Sequence, residues 1–276
     1  MRFKGKVLLW VAVIAVVSLA GCAGVTLNSS PQYLALGDFL TDGATLSDPA
    51  EQAYPTLVSR MENAPLTNLA NSGDQACDVA ARQIFPKGVS PTLVSHPTSS
   101  LLIGVNDVDN QGEGVYEQVF EECHQAAIAW LALPAEDKVL SGSAGFEARG
   151  PGEIDTTSGW NAWTTQGQGS TVSFSIDTAQ AGPIYAWPLI DDNSAATYSY
   201  SLDEVEVGTS SVEISPHIAT QNGTTRSLGF LRWPYIPAGH HTATFTQTSV
   251  GASGVTVVGI GAPTVGQSGQ LPQVLV

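Results

Sequence analysis

The sequence is poor in positive charge: ten Lys and Arg stand against 25 Asp and Glu, a formal net charge of −15 at pH 7. So acidic a surface repels nucleic acid and anionic lipid headgroups, which argues against either as a partner. Cysteine is limited to Cys22, Cys77 and Cys123. No internal repeat is present, which argues against a solenoid or array. Apolar residues make up 43% of the chain, a globular rather than a disordered composition.

The few basic residues are unevenly placed. Arg2, Lys4 and Lys6 precede an apolar run from Val7 to Val17, and Ser18-Leu19-Ala20-Gly21-Cys22 follows. A positive start and a short apolar core make a secretory leader, too short and wrongly flanked for a permanent spanning helix. Leu-Ala-Gly before Cys22 looks like the bacterial lipobox, which implies cleavage after Gly21 and lipid on Cys22; an ordinary leader with a chance cysteine is the alternative. Ala23 follows, so no Asp stands there to suggest retention at an inner membrane. Without the leader, seven basic residues face 25 acidic ones, a formal charge of −18. The expectation is an exported cell-envelope lipoprotein, held to a membrane through Cys22, with residues 23 onward in the periplasm or at the surface. An oxidising compartment makes a Cys77–Cys123 disulfide the natural pairing. Two buried thiols remain the alternative, because spacing cannot prove proximity.

The mature chain changes character near Pro134. Before it, short apolar runs at Tyr33–Leu36, Leu66–Ala70 and Leu101–Val105 read as strands. Between them, Ala53–Met61 places Tyr54, Leu57, Val58 and Met61 on one helical face, and Ala76–Phe85 reads as a second helix ended by Pro86. Gly114–Leu133 is the clearest helix, with Val115, Val119, Cys123, Ala126, Ala127, Trp130 and Leu131 at helical spacing. Strands alternating with helices predict βαβ units and a parallel sheet. After Pro134, Val172, Phe174 and Ile176 alternate with polar residues, as do Tyr198, Tyr200 and Leu202, Val212 and Ile214, and Ala243 and Phe245. No helical period occurs between Ser141 and Gly261, which predicts an antiparallel sandwich or jelly roll of about 120 residues. Leu271–Val276 reads as the opening of a fourth strand of the parallel sheet.

Each of the first three strands is followed by a distinctive loop: Gly37-Asp38-Phe39-Leu40-Thr41-Asp42-Gly43, then Asn68-Leu69-Ala70-Asn71-Ser72-Gly73, then Gly104-Val105-Asn106-Asp107. In order and spacing these resemble blocks I, II and III of the SGNH (GDSL) hydrolase family of serine esterases and lipases, over roughly residues 32–133. The resemblance implies an α/β fold, a flavodoxin-like three-layer α/β/α domain, in which loops at the carboxyl ends of parallel strands converge on one crevice. Some members carry a β jelly roll after the third block, beginning where Pro134 stands here. The implied organisation is a leader over 1–22, an SGNH-like α/β domain over 23–140, a β insert over 141–262 and, in 263–276, the start of a return to the α/β sheet. By the same resemblance the oxyanion of an ester under attack is held by the backbone N–H of Phe39, the N–H of Gly73 and the side chain of Asn106, with Asp38 and Asp107 in support. Such donors contribute about 3–4 kcal/mol each to a transition state. No cofactor and no metal are implied.

Two departures bear on activity. The family reads Gly-Asp-Ser in block I, whereas this chain reads Gly-Asp-Phe, and a benzyl side chain has no nucleophilic atom. The family's base lies in an Asp-x-x-His near the C-terminus, and no Asp-x-x-His occurs in these 276 residues. Ser47 and Ser72 lie near the first two blocks in sequence but not in the block I turn. His96 precedes the third strand, His124 lies in a helix, and His217, His240 and His241 fall in the β region. Glu121 and His124 share a helix face, and a solvated face is the simpler account. Adjacent strand residues point to opposite faces, so the His240–His241 pair is read as a turn rather than a metal site.

Three readings therefore stand. The chain is an exported ester hydrolase by descent, for acylated carbohydrate or other carboxylic esters, inactive in this copy. Alternatively it is a glycan- or surface-binding lipoprotein whose jelly roll kept a role, Trp160, Trp163, Trp187, Trp233, Tyr185 and Tyr235 being either sugar platforms or core. The third is a truncated, non-functional fragment, since the family's return to the sheet would begin where these residues stop and one base substitution turns Ser into Phe.

Overall fold

The computed structural model describes residues 32–84, 98–111, 116–155, 162–191, 197–211, 219–221, 224–250, 254–263 and 273–276. The leader with Cys22, together with His96, Trp160, His217, Val212 and Ile214, lies outside the described residues. In the first half, β1 (Tyr33–Gly37), α1 (Phe39–Asp42), α2 (Pro49–Gln52), α3 (Tyr54–Glu62), β2 (Leu66–Asn68), α4 (Ala76–Asp78, continuing as a π-helical stretch Val79–Ile84), β3 (Thr98–Leu102), α5 (Val105–Gln111) and α6 (Tyr116–Ala132) follow in order. After a 3-10 turn at Ala135–Asp137 come β4 (Lys138–Leu140), β5 (Phe146–Arg149), β6 (Gly152–Asp155), β7 (Ala162–Thr165), β8 (Thr171–Thr178) and β9 (Gly182–Asp191). β10 (Thr197–Leu202), β11 (Val205–Ser211), β12 (Ala219–Gln221), β13 (Thr224–Leu228), β14 (Leu231–Ile236), β15 (Gly239–Gln247), β16 (Val255–Gly261) and β17 (Gln273–Leu275) complete the chain. The fold is mixed α/β, with sheet outweighing helix.

β17, β3, β1 and β2 pair in that order, all parallel. β1 is buried on both faces, which is why Tyr-Leu-Ala-Leu is continuously apolar. Because side chains alternate along a strand, Tyr33 and Ala35 pack with Val58, Ala64 and Leu66, while Leu34 and Leu36 join the cluster of Val79, Ile84 and Ala126. β3 starts at Thr98, three residues before its apolar run. The polar start is tolerated because Ser100 Oγ lies 2.6 Å from the Tyr33 hydroxyl and 3.2 Å from that of Tyr54. The expected apolar face of α3 is only partly used: Val58 packs inward, but Leu57 and Met61 are exposed. On α6, by contrast, Cys123, Ala126, Ala127, Trp130 and Leu131 are all buried at the predicted spacing. A Cys77–Cys123 disulfide joins α4 to α6, with Cα atoms 4.9 Å apart.

The β half forms two antiparallel sheets. One runs β11-β10-β15-β8-β5; the other runs β12-β13-β9-β16-β7-β6, with β14 on β9 and β4 on β16. Val172, Phe174, Ala243, Phe245 and Tyr198 from the first sheet meet Ile184, Ala186, Val255 and Val257 from the second in one core. β9 is apolar on both faces. Its Trp187 and Leu189 enter the cluster built around α6, so the core crosses the boundary expected near residue 140. From Pro31 to Val276 the chain is one compact unit.

Candidate active site

The loop after β1 is fixed by contacts that only glycine permits. Gly37 has φ 147°, and a Cβ there would overlap the Leu102 carbonyl and the Thr41 hydroxyl. The chain then enters α1, capped by Asp38, whose Oδ1 accepts from the Leu40 N–H at 2.9 Å. Phe39 is the first helical residue and is half-buried.

The three loops are tied together by two residues with no place in the sequence motifs. Gln83, on the π-helical stretch and fully buried, accepts from the Gly37 N–H at 3.1 Å and donates Nε2 to the Gly37 carbonyl at 2.8 Å. The same Nε2 lies 2.9 Å from Asp74 Oδ2. Asp74, also buried, takes Asn71 Nδ2 at 2.7 Å and Arg82 Nη1 at 3.0 Å on its other oxygen. Its carbonyl accepts Asn106 Nδ2 at 2.9 Å, which joins the second loop to the third. Asn71 N–H donates to the Gly37 carbonyl and Ser72 Oγ to Asp42 Oδ2, joining the second loop to the first. Asp107 accepts the Ala76 N–H on both oxygens at 3.1 Å, which anchors the third loop to the start of α4. Nothing in a single sequence marks Gln83, and Asp74, though it directly follows the second loop, was not singled out from the sequence either.

Of the residues singled out, Gly73 and Phe39 carry backbone N–H groups with no hydrogen-bond partner among the described residues. Gly73 has φ 91° and faces open space, since a Cβ there would meet nothing within 4 Å. Asn106 is held by its contacts to Asp74 and by Gln75 Nε2, which donates to its carbonyl.

The cluster is electrostatically tense. Burial pushes Asp107 up to about 6, and the nearby carboxylates of Asp78 and Asp38 push the same way against the Ala76 N–H. Burial also raises Asp38, opposed by the Leu40 N–H, and Asp38 Oδ2 is buried with no partner among the described residues. Asp78 is raised by burial as well, opposed by the Gln75 N–H and Arg82.

The remaining candidates sit elsewhere. His240 and His241 lie on β15, not in a turn; their pairing along β8 continues the ladder through both residues. Being adjacent they face apart: His240 Nδ1 is 2.9 Å from Asp177, and His241 Nδ1 is 2.7 Å from Asp203. His124 stacks on Phe120, while Glu121 accepts from Gln125. Ser47 donates to Gln52, and Ser72 is exposed on Asp42. Trp187 and Trp233 are buried, Trp163 and Tyr185 are half-buried, and Tyr235 is exposed.

No protein-family model matches the chain, and no curated protein matches it. Among solved structures it is similar to a two-domain esterase active on acetylated mannans, co-crystallised with mannopentaose, at 11% identity and a TM-score of 0.46, over 86% of this chain and 92% of that one. A family 35 carbohydrate-binding module from an environmental isolate aligns with 47% of this chain and 93% of its own, at 14% identity and a TM-score of 0.37. A family 35 module of Cellvibrio japonicus aligns over 46% and 93%, at 16% identity and a TM-score of 0.34.

Proposed function

We propose that this chain is an SGNH-type ester-hydrolase scaffold that has lost its chemistry: a flavodoxin-like α/β/α layer carrying a jelly roll, descended from enzymes acting on acylated carbohydrate or other carboxylic esters. One observation carries the reading. The N–H groups of Phe39 and Gly73 have no hydrogen-bond partner among the described residues and Asn106 is tethered to the Asp74 carbonyl; these are the donors that the resemblance assigns to an oxyanion, yet residue 39 offers only a phenyl ring. A site with donors and no nucleophile can bind an ester or its product without turning it over. Hydrolysis of p-nitrophenyl acetate and of acetylated glycan by the mature chain, compared with Asn106→Ala, tests this; turnover that Asn106→Ala abolishes sinks it. Attachment through Cys22 belongs to the same proposal, supported by Leu19-Ala20-Gly21-Cys22. Cys22→Ser should then leave an uncut precursor that takes up no labelled fatty acid, and label entering the variant defeats that part.

A glycan-binding role is the second reading, and a specific surface favours it. The outer face of the β10-β15-β8 sheet forms a groove of about 690 Å3 lined by the hydroxyls of Thr171, Ser173, Ser175, Ser201, Thr242 and Thr244 together with the charged Glu147, Arg149, Asp203 and Glu204. Polar side chains there, rather than the buried tryptophans, would face a sugar. Retardation in gels containing soluble polysaccharide distinguishes the two readings, because loss by Ser175→Val would place binding on this face.

A further inference from the structure

Where α6 lies against the second β sheet, the two surfaces do not close. A cleft of about 390 Å3 remains, within the range of roughly 300–1,000 Å3 that holds small ligands. One wall is the stripe Ile128, Ala129 and Ala132 of α6, on the side of the helix away from the fully buried Cys123, Ala126 and Ala127. Two alanines at i and i+3 keep that wall shallow. The opposite wall is Tyr185 of β9 stacked on Phe230, ring centroids 5.7 Å apart and 13° from parallel. Leu133 and Pro263 complete the lining, and the aromatic wall is braced from outside it by Trp187, whose ring centroid lies 6.5 Å from that of Phe230 and whose indole N–H donates to the Ala126 carbonyl.

Among the described residues that line the cleft, one is charged. Arg232 of β14 stands directly across the ladder from Tyr185, and its side chain is exposed. Arg60, Arg82 and Arg149 each hold a carboxylate, whereas Arg232 has no ion-pair partner among the described residues. In so acidic a chain, a guanidinium at the mouth of an apolar cleft with no acid paired to it among the described residues is out of character. Its planar fork matches a carboxylate bidentately, and the cleft behind it matches an apolar body.

We propose that this cleft binds a small amphipathic monocarboxylate, its chain or ring between the α6 stripe and the Tyr185–Phe230 stack and its carboxylate on Arg232. The site shares no residue with the three loops, so it stands or falls separately from the ester-hydrolase reading. The experiment is calorimetric titration of the mature chain with octanoate and with 1-octanol. The expected result is saturable binding of one octanoate per chain, about tenfold or more tighter than octanol. Arg232→Gln should bring octanoate to the octanol affinity and leave octanol unchanged, and Ala132→Phe should abolish both by filling the cleft. Equal affinities for acid and alcohol in the parent, no saturable binding, no effect of Arg232→Gln, or persistence in Ala132→Phe would each overturn the proposal. Arg232 is exposed, so its variant carries the test even where Ala132→Phe loses its native circular dichroism.

Discussion

The indole N–H of Trp187, on β9, donates to the backbone carbonyl of Ala126, on α6, at 3.0 Å, and the Trp187 ring meets Trp130 edge-on at 4.9 Å. Trp187 is wholly buried, so this contact welds the sandwich to the helices around the parallel sheet. Trp187→Ala should cost about 3–5 kcal/mol, the range for deleting a buried aromatic. Because the core is shared, the loss should appear in both halves as one transition. Urea unfolding followed by far-UV and near-UV signals checks this; two separated transitions in the parent would show that the halves fold independently.

The sequence made the α6 face legible because its apolar residues recur at 3.6-residue spacing, and made β8 and β15 legible because theirs recur at two. It did not show that β9 is apolar on both sides for two different partners. Ile184 and Ala186 face the sandwich while Trp187 and Leu189 face α6, and a doubly buried strand looks the same whatever covers it. The polar start of β3 was equally hidden, since only the Tyr33 and Tyr54 hydroxyls explain a buried Ser100. The three loops were readable as motifs, but Gln83, which pins Gly37 to Asp74, lies on a helix with nothing local to mark it.

The disulfide should matter to stability. It closes a span of 46 residues, for which chain entropy gives a stabilisation of about 4 kcal/mol. Cys77→Ser with Cys123→Ser should therefore lower the melting temperature by many degrees, and reductant should do the same to the parent but not to the variant. Two free thiols titrated in denatured, unreduced protein would contradict the bond.

Acid should favour the folded loops. Asp107 titrates near 6 in the folded chain against an ordinary 3.8, so the native state holds that proton more tightly than the unfolded one. Its contribution is fully present below about pH 4 and is lost as pH rises through 6. Asp38 and Asp78, also raised by burial, act in the same direction. Asp107→Asn keeps an acceptor for the Ala76 N–H but removes the titration, so its stability should depend less on pH between 4 and 6.5. Urea midpoints at three pH values across that window decide it; parallel slopes for parent and variant would refute the assignment.

The catalytic prediction has two parts. The chain as it stands should show no ester hydrolysis that depends on Asn106, because residue 39 has no atom that can attack a carbonyl. Phe39→Ser alone should gain little. A serine hydroxyl without a positioned base is almost wholly protonated near pH 7, and loss of one member of such a pair costs nearly as much as loss of both. His240 and His241 are engaged with Asp177 and Asp203, and His124 is stacked on Phe120. The N–H groups of Phe39 and Gly73 could still steady an oxyanion, so a faint rate above water is compatible with the reading. Single-turnover assays with p-nitrophenyl acetate separate the cases. A Phe39→Ser protein that forms an acyl-enzyme within seconds would mean that a base already stands at the loops, and Phe39 alone would then account for the lost chemistry.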